Sequence, residues 1–114
     1  MTISLNGFET GYVTLQAADG LTAGVMAKLS ANHTAAPAGD GENFIGLVLS
    51  VRDGLALCQL SGICTVPYTG SAPAVGFASL CADAAGGVKT ASSGGRSLLV
   101  TAVDSTAMTA EILL

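Results

Sequence analysis

The chain alternates. In Phe44-Ile45-Gly46-Leu47-Val48-Leu49-Ser50-Val51, the residues Ile45, Leu47, Leu49 and Val51 recur at every second position. A period of two puts these side chains on one face of a strand. Arg52-Asp53-Gly54 follows, and then a second run, Leu55-Ala56-Leu57-Cys58-Gln59-Leu60. Asp-Gly between two such runs predicts a tight hairpin, because both central residues of the favoured turn need positive φ. Residues 44–51 and 55–60 are therefore expected to pair antiparallel.

The same rule predicts further strands. Tyr12 to Ala17 alternates and stops at Asp19-Gly20, and Val25 to Ser30 follows the rule more weakly. Ile63 to Tyr68 contains Pro67, which suits a strand end or an edge because proline cannot donate to a ladder. Val75 to Ala82 and Val88 to Thr90 come next. Leu98–Val103 and Met108–Leu114 flank Asp104-Ser105-Thr106 as a terminal hairpin. Residues 34–42, 69–73, 84–87 and 92–95 read as turn-rich connections. No stretch carries a clear helical period, although the Ala-rich residues 72–85 leave room for one helical turn. No repeat of 20–50 residues stands out, which argues against a solenoid.

The expected fold is all-β: a small single-domain β-barrel or sandwich built from antiparallel hairpins, spanning residues 12–114. Residues 1–11 are set apart, because Asn6-Gly7 and Gly11 interrupt their alternation. They form either a short N-terminal arm or a first strand. An arm carrying Ile3, Leu5 and Phe8 needs something to dock on, since isolated apolar side chains in water gain nothing.

Composition narrows the function. The chain has 114 residues, half of them hydrophobic, yet 4% are aromatic and 11% charged. A usual protein has about 25% charged residues. The shortage counts against an enzyme, because acid, base and electrophile roles draw on charged side chains and His. The net charge is −4, and the four cations Lys28, Arg52, Lys89 and Arg96 are scattered. No phosphate-tracking patch is expected, and hence no nucleic-acid partner. The absence of a long apolar run argues against a membrane span. The start of the chain lacks the pattern of a signal peptide. Three cysteines, Cys58, Cys64 and Cys81, rule out a fully paired framework and fit a reducing cytoplasm as the place of synthesis.

A search for chemistry finds bland readings everywhere. Asp19, Asp40 and Asp53 precede glycines, and Asp83 and Asp104 open turn-like stretches, where Asp bonds nearby backbone amides. Asp40-Gly41-Glu42 lacks the spacing of a calcium loop. The cysteine intervals do not match a zinc site, and buried filler is the simpler role. His33, the single histidine, sits beside Asn32 and Thr34 in a polar loop with no orienting partner in sequence. Lys89 after Gly86-Gly87 raises a lipoyl-type carrier, but Val88 and Thr90 are not its usual neighbours. The reading is no catalytic residue, no metal and no cofactor.

The rhythm of Gly41-Glu42-Asn43-Phe44-Ile45-Gly46-Leu47-Val48-Leu49-Ser50-Val51-Arg52-Asp53-Gly54, with Gln59-Leu60-Ser61-Gly62-Ile63-Cys64-Thr65-Val66-Pro67-Tyr68, resembles capsid decoration proteins of tailed bacteriophages. Gly20-Leu21-Thr22-Ala23-Gly24-Val25, Ala74-Val75-Gly76 and Gly86-Gly87-Val88-Lys89 add to the resemblance, which covers roughly residues 12–114. It implies a cement, or head-stabilising, protein on the capsid exterior of the virion. The implied partners are the major capsid protein and further copies of the chain, as a homotrimer, without membrane or nucleic acid. Ile3, Leu5, Phe8 and Tyr12 are the expected capsid contacts, with Phe8 and Tyr12 otherwise opening the first core strand. A phage tail or baseplate β protein, or a non-viral binding or carrier module modified at Lys89, are the competing expectations.

Overall fold

The computed structural model describes residues 11–114. They form ten strands in two five-stranded sheets. The first sheet contains β1 (Gly11–Ala17), β2 (Met26–Ala31), β3 (Thr34–Pro37), β4 (Gly46–Arg52) and β5 (Leu55–Ser61). It closes into a barrel in the order β1-β3-β2-β4-β5. The β4–β5 hairpin is the one that Asp53-Gly54 predicts: Arg52 pairs with Leu55, and the two turn residues have φ of 54° and 75°. Val13, Leu15, Ala27, Ala35, Val48, Ala56 and Cys58 fill the interior.

β3 corrects the sequence reading, which placed residues 34–42 in a turn-rich connection. Thr34–Pro37 pairs antiparallel with β2 and parallel with β1, and so closes the barrel. Ala35 and Ala36 are both buried. A narrow barrel has room only for small side chains at its closing seam, and alanine carries no β pattern. The parallel β1–β3 pair also departs from an all-antiparallel arrangement.

The second sheet contains β6 (Ile63–Pro67), β7 (Gly76–Ala82), β8 (Val88–Thr90), β9 (Arg96–Asp104) and β10 (Thr109–Leu113). Its order is β6-β10-β9-β7-β8. No helix forms in the Ala-rich residues 72–85, where β7 runs instead. The sheet almost closes as well. Tyr68, just past β6, makes a parallel bridge to Val88, and the Thr69 N–H donates to the Val88 carbonyl at 3.1 Å. Pro67 ends β6, as its missing N–H requires.

The two sheets are the same structure twice. Reading the second as β6-β8-β7-β9-β10 reproduces the cyclic order β1-β3-β2-β4-β5, strand for strand and with each parallel or antiparallel sense retained. Register agrees along β1–β5, β4–β5 and β2–β3, while β7 slides two residues along β9: Met26 opposes Leu47, whereas its counterpart Ser79 opposes Ser97 and Phe77 opposes Leu99. Val13 pairs with Cys58 and Val48 with Cys58, while Cys64 pairs with Ile112 and Val100 with Ile112. Both halves carry a β-bulge at the same place, Leu49 in β4 and Thr101 in β9. The hydrogen bond from Ala18 N–H to the Ala35 carbonyl matches the one from Thr69 to Val88. Ala38 to Met26 likewise matches Ala91 to Ser79.

The cores correspond residue by residue. Leu15, Ala27, Ala35, Val48, Ala56 and Cys58 in the first half stand where Val66, Leu80, Val88, Val100, Ala110 and Ile112 stand in the second, and all twelve are buried. The second core has the larger side chains and the less completely closed sheet.

The halves meet along one seam. Met26, Ala38 and Phe44 of the first half belong to the second half's core, and Leu47 packs against it. The Met26 N–H donates to the Gly86 carbonyl at 2.9 Å. The Gly41 N–H donates to the Ala82 carbonyl, and Ala82 donates back to the Glu42 carbonyl, at 2.9 and 2.8 Å. Arg96 donates to the Ile45 carbonyl at 3.2 Å and lies 5.7 Å from the Phe44 ring centroid. A cation over a ring at that distance is attracted by the ring's quadrupole.

Candidate functional site

Of the four expected contact residues, Ile3, Leu5 and Phe8 lie outside the described residues. Tyr12 is on β1, paired with Gln59. Its neighbours Val13 and Leu15 point into the first core, so Tyr12 points out, and it is 56% exposed. It stands at the start of β1, where the chain arrives from residues 1–10.

A second exposed feature is larger. Phe77 on β7 pairs with Leu99 on β9, Leu99 with Leu113 on β10, and Leu113 with Ile63 on β6. Directly opposite residues share a face, so these four side chains form one apolar row across the outside of the second sheet. Phe77 is 79% exposed, and Val75, in the bend just before β7, is 69% exposed. The sequence reading placed both in a strand without assigning them a role. The signal in the sequence is that large apolar residues, Val75 and Phe77, occupy odd positions while Ala78, Leu80 and Ala82 already form the even face turned to the core. One such face makes a core, and the other needs a cover.

Three carboxylates are spent on the fold. The Asp83 carboxylate, 2% exposed, accepts from the Ala85 and Gly87 amides at 2.8 Å each and from the Thr69 hydroxyl at 3.1 Å. Asp104 accepts from the Thr106 and Ala107 amides in the β9–β10 turn. Glu42 accepts from Lys28 and from the Gly39 amide, and these bonds hold its carboxyl below the usual range. Among the described residues no three His, Cys, Asp or Glu side chains gather as a metal site. His33 is exposed at the β2–β3 turn with φ of 54°.

Lys89 sits beside a shallow cavity of about 330 Å³ lined by Gly41, Cys81, Thr90, Ala91 and Ser92 among others. Its ammonium lies 2.7 Å from an Asp40 oxygen, and that bond raises its pKa above the ordinary value. A lysine in this position ties the two halves together and keeps its proton, which works against nucleophilic use.

The cysteines are free and buried. Burial pushes the Cys58 thiol up and the Cys64 thiol up to about 11. The thiolate is the reactive form, so labelling by a thiol reagent near neutral pH should be slow in native protein and reach all three cysteines in denaturant. Rapid native labelling of Cys58 or Cys64 would contradict the burial of both cores.

No protein-family model matches the chain, and no curated protein is matched by it.

Proposed function

We propose that the chain is a structural virion protein that binds the outer surface of a phage capsid and stabilises the head. It works by contact and carries no catalytic step. Such a protein binds the assembled shell in preference to free subunits, and the preference itself stabilises the shell. Repetition over a lattice lets a weak single contact act through avidity.

The observation that carries the reading is Tyr12, an exposed aromatic on the outside of β1, joined to the segment bearing Ile3, Leu5 and Phe8. Tyr12 thus offers an exposed aromatic on a frame poor in charge, and the sequence before it supplies three further apolar side chains. The resembling segments supply that frame: Phe44 and Ile45 line the seam, and Ser61-Gly62-Ile63 joins the halves. Self-association, as a trimer in the resemblance, belongs to the same proposal.

The test is addition of the purified chain to preformed heads that lack it, read by occupancy and by the temperature at which heads rupture. Occupancy and a raised rupture temperature are expected. Deletion of residues 2–8 or Tyr12→Asp should weaken occupancy at least about tenfold, the scale of an interface anchor. Absence of the chain from purified particles, or no binding to heads, rejects the proposal; full occupancy after the deletion moves the contact elsewhere.

A further inference from the structure

The seam between the two halves is not symmetric. A two-fold seam would show each contact twice, with equivalent residues exchanged. Met26 donates to Gly86, whose counterpart in the first half is His33; the His33 carbonyl instead accepts from Gln16 within its own half. Ala82 is bracketed by Gly41 and Glu42 and is fully buried, while its counterpart Leu29 is 53% exposed. Lys89 pairs with Asp40, and the corresponding positions Ala36 and Ser93 can form no ion pair. The first half therefore offers an outer face and its β3–β4 connection, and the second half offers a barrel end.

Such a seam leaves one unused copy of each surface. On the first half, Met26, Leu47 and Gln59 of the row are buried or half-buried, with Met26 and Leu47 packed against the second half, and Tyr12 at its far end is exposed. The residues opposed in the same way on the second half are Phe77, Leu99, Leu113 and Ile63; Phe77, at the place of the buried Met26, is 79% exposed, and the other three are half-buried. The barrel end that does the covering surrounds Ala82 and Gly86. Its counterpart on the first half, around Leu29, Asn32 and His33, is exposed.

We propose that the Phe77–Leu99–Leu113–Ile63 row binds the Leu29–His33 barrel end of a second copy of the chain, head to tail. The contact repeats between chains the packing already present within each. It deepens the self-association in the preceding proposal but rests on the internal repeat, so it stands or falls in solution without any capsid. Head-to-tail contacts either close into a ring or run on as a filament.

The experiment measures the mass of the full chain against concentration by sedimentation velocity. The wild type should associate as concentration rises. Phe77→Asp and Leu29→Asp replace exposed side chains, so each should keep the wild-type melting temperature and associate about thirtyfold or more weakly. Mixed together, the two variants should form a one-to-one dimer, because each retains the surface the other has lost. Three results overturn the proposal. One is a wild type that stays monomeric. Another is Leu29→Asp associating as well as the wild type, which marks a symmetric contact through Phe77. The third is association that appears only after residues 2–8 are deleted, which assigns the row to the chain's own N-terminal segment.

Discussion

Asp83→Ala is expected to destabilise the protein by about 3 kcal/mol, measured by urea unfolding. A buried polar group left without its partner costs about 1–3 kcal/mol, and alanine strands the Gly87 amide inside while releasing the Ala85 amide and the Thr69 hydroxyl. The position matters because the second sheet closes by a single bridge between Tyr68 and Val88. Asp83 lies between β7 and β8 and reaches Thr69 beyond the end of β6, so it spans that closure with side-chain bonds. Asp83→Asn keeps an oxygen acceptor for both amides and should lose less than half as much. Equal losses for the two variants would show that the negative charge, and not the hydrogen bonds, holds the closure.

Gly46→Ala is expected to cost about as much, for a steric reason. A Cβ on Gly46 would overlap the Gln59 carbonyl oxygen and press on the Leu60 side chain. The obstacle is backbone, so β4 and β5 must separate there; overpacking of this kind costs about 1–3 kcal/mol and sometimes more. Gly54 provides the contrast. Its φ of 75° disfavours alanine, but open space surrounds the new methyl. Gly54→Ala should cost about 1–2 kcal/mol, the ordinary charge for a left-handed residue. A melting temperature for Gly46→Ala no lower than that for Gly54→Ala would mean the strands separate without loss.

The strands that sequence reveals are those with an unambiguous period. Ile45, Leu47, Leu49 and Val51 with Asp53-Gly54 predict a hairpin because turn chemistry and alternation agree, but the bulge at Leu49 parts their expected common face: Val48 and Val51 pack in the first core, Leu47 against the second half, and Leu49 is exposed. β3 has neither, since Ala35 and Ala36 are small enough to be buried without alternating. The repeat escapes notice for a related reason. Ala27 becomes Leu80, Ala35 becomes Val88 and Cys58 becomes Ile112, so inside and outside are conserved between halves while identity is not. Spacing also drifts, because a two-residue turn at Asp53-Gly54 corresponds to a four-residue turn at residues 105–108. Phe77 illustrates a different limit. Its strand follows from sequence, but its pairing with Leu99 and Leu113 is a matter of register across strands far apart in the chain.

Two copies of one topology in one chain create a hazard during folding, since β6 could take the place of β1 beside β3. Pro67 guards against this. It stands where Gln16 stands in the first half, and Gln16 donates to the His33 carbonyl at 2.7 Å. Proline has no N–H to give, so an exchanged β6 would leave that carbonyl unpaired and the wrong barrel open. The same missing donor leaves the Gly86 carbonyl free within its own half, where Met26 claims it. One substitution thus discourages the misfolded strand exchange and directs the correct docking of the halves.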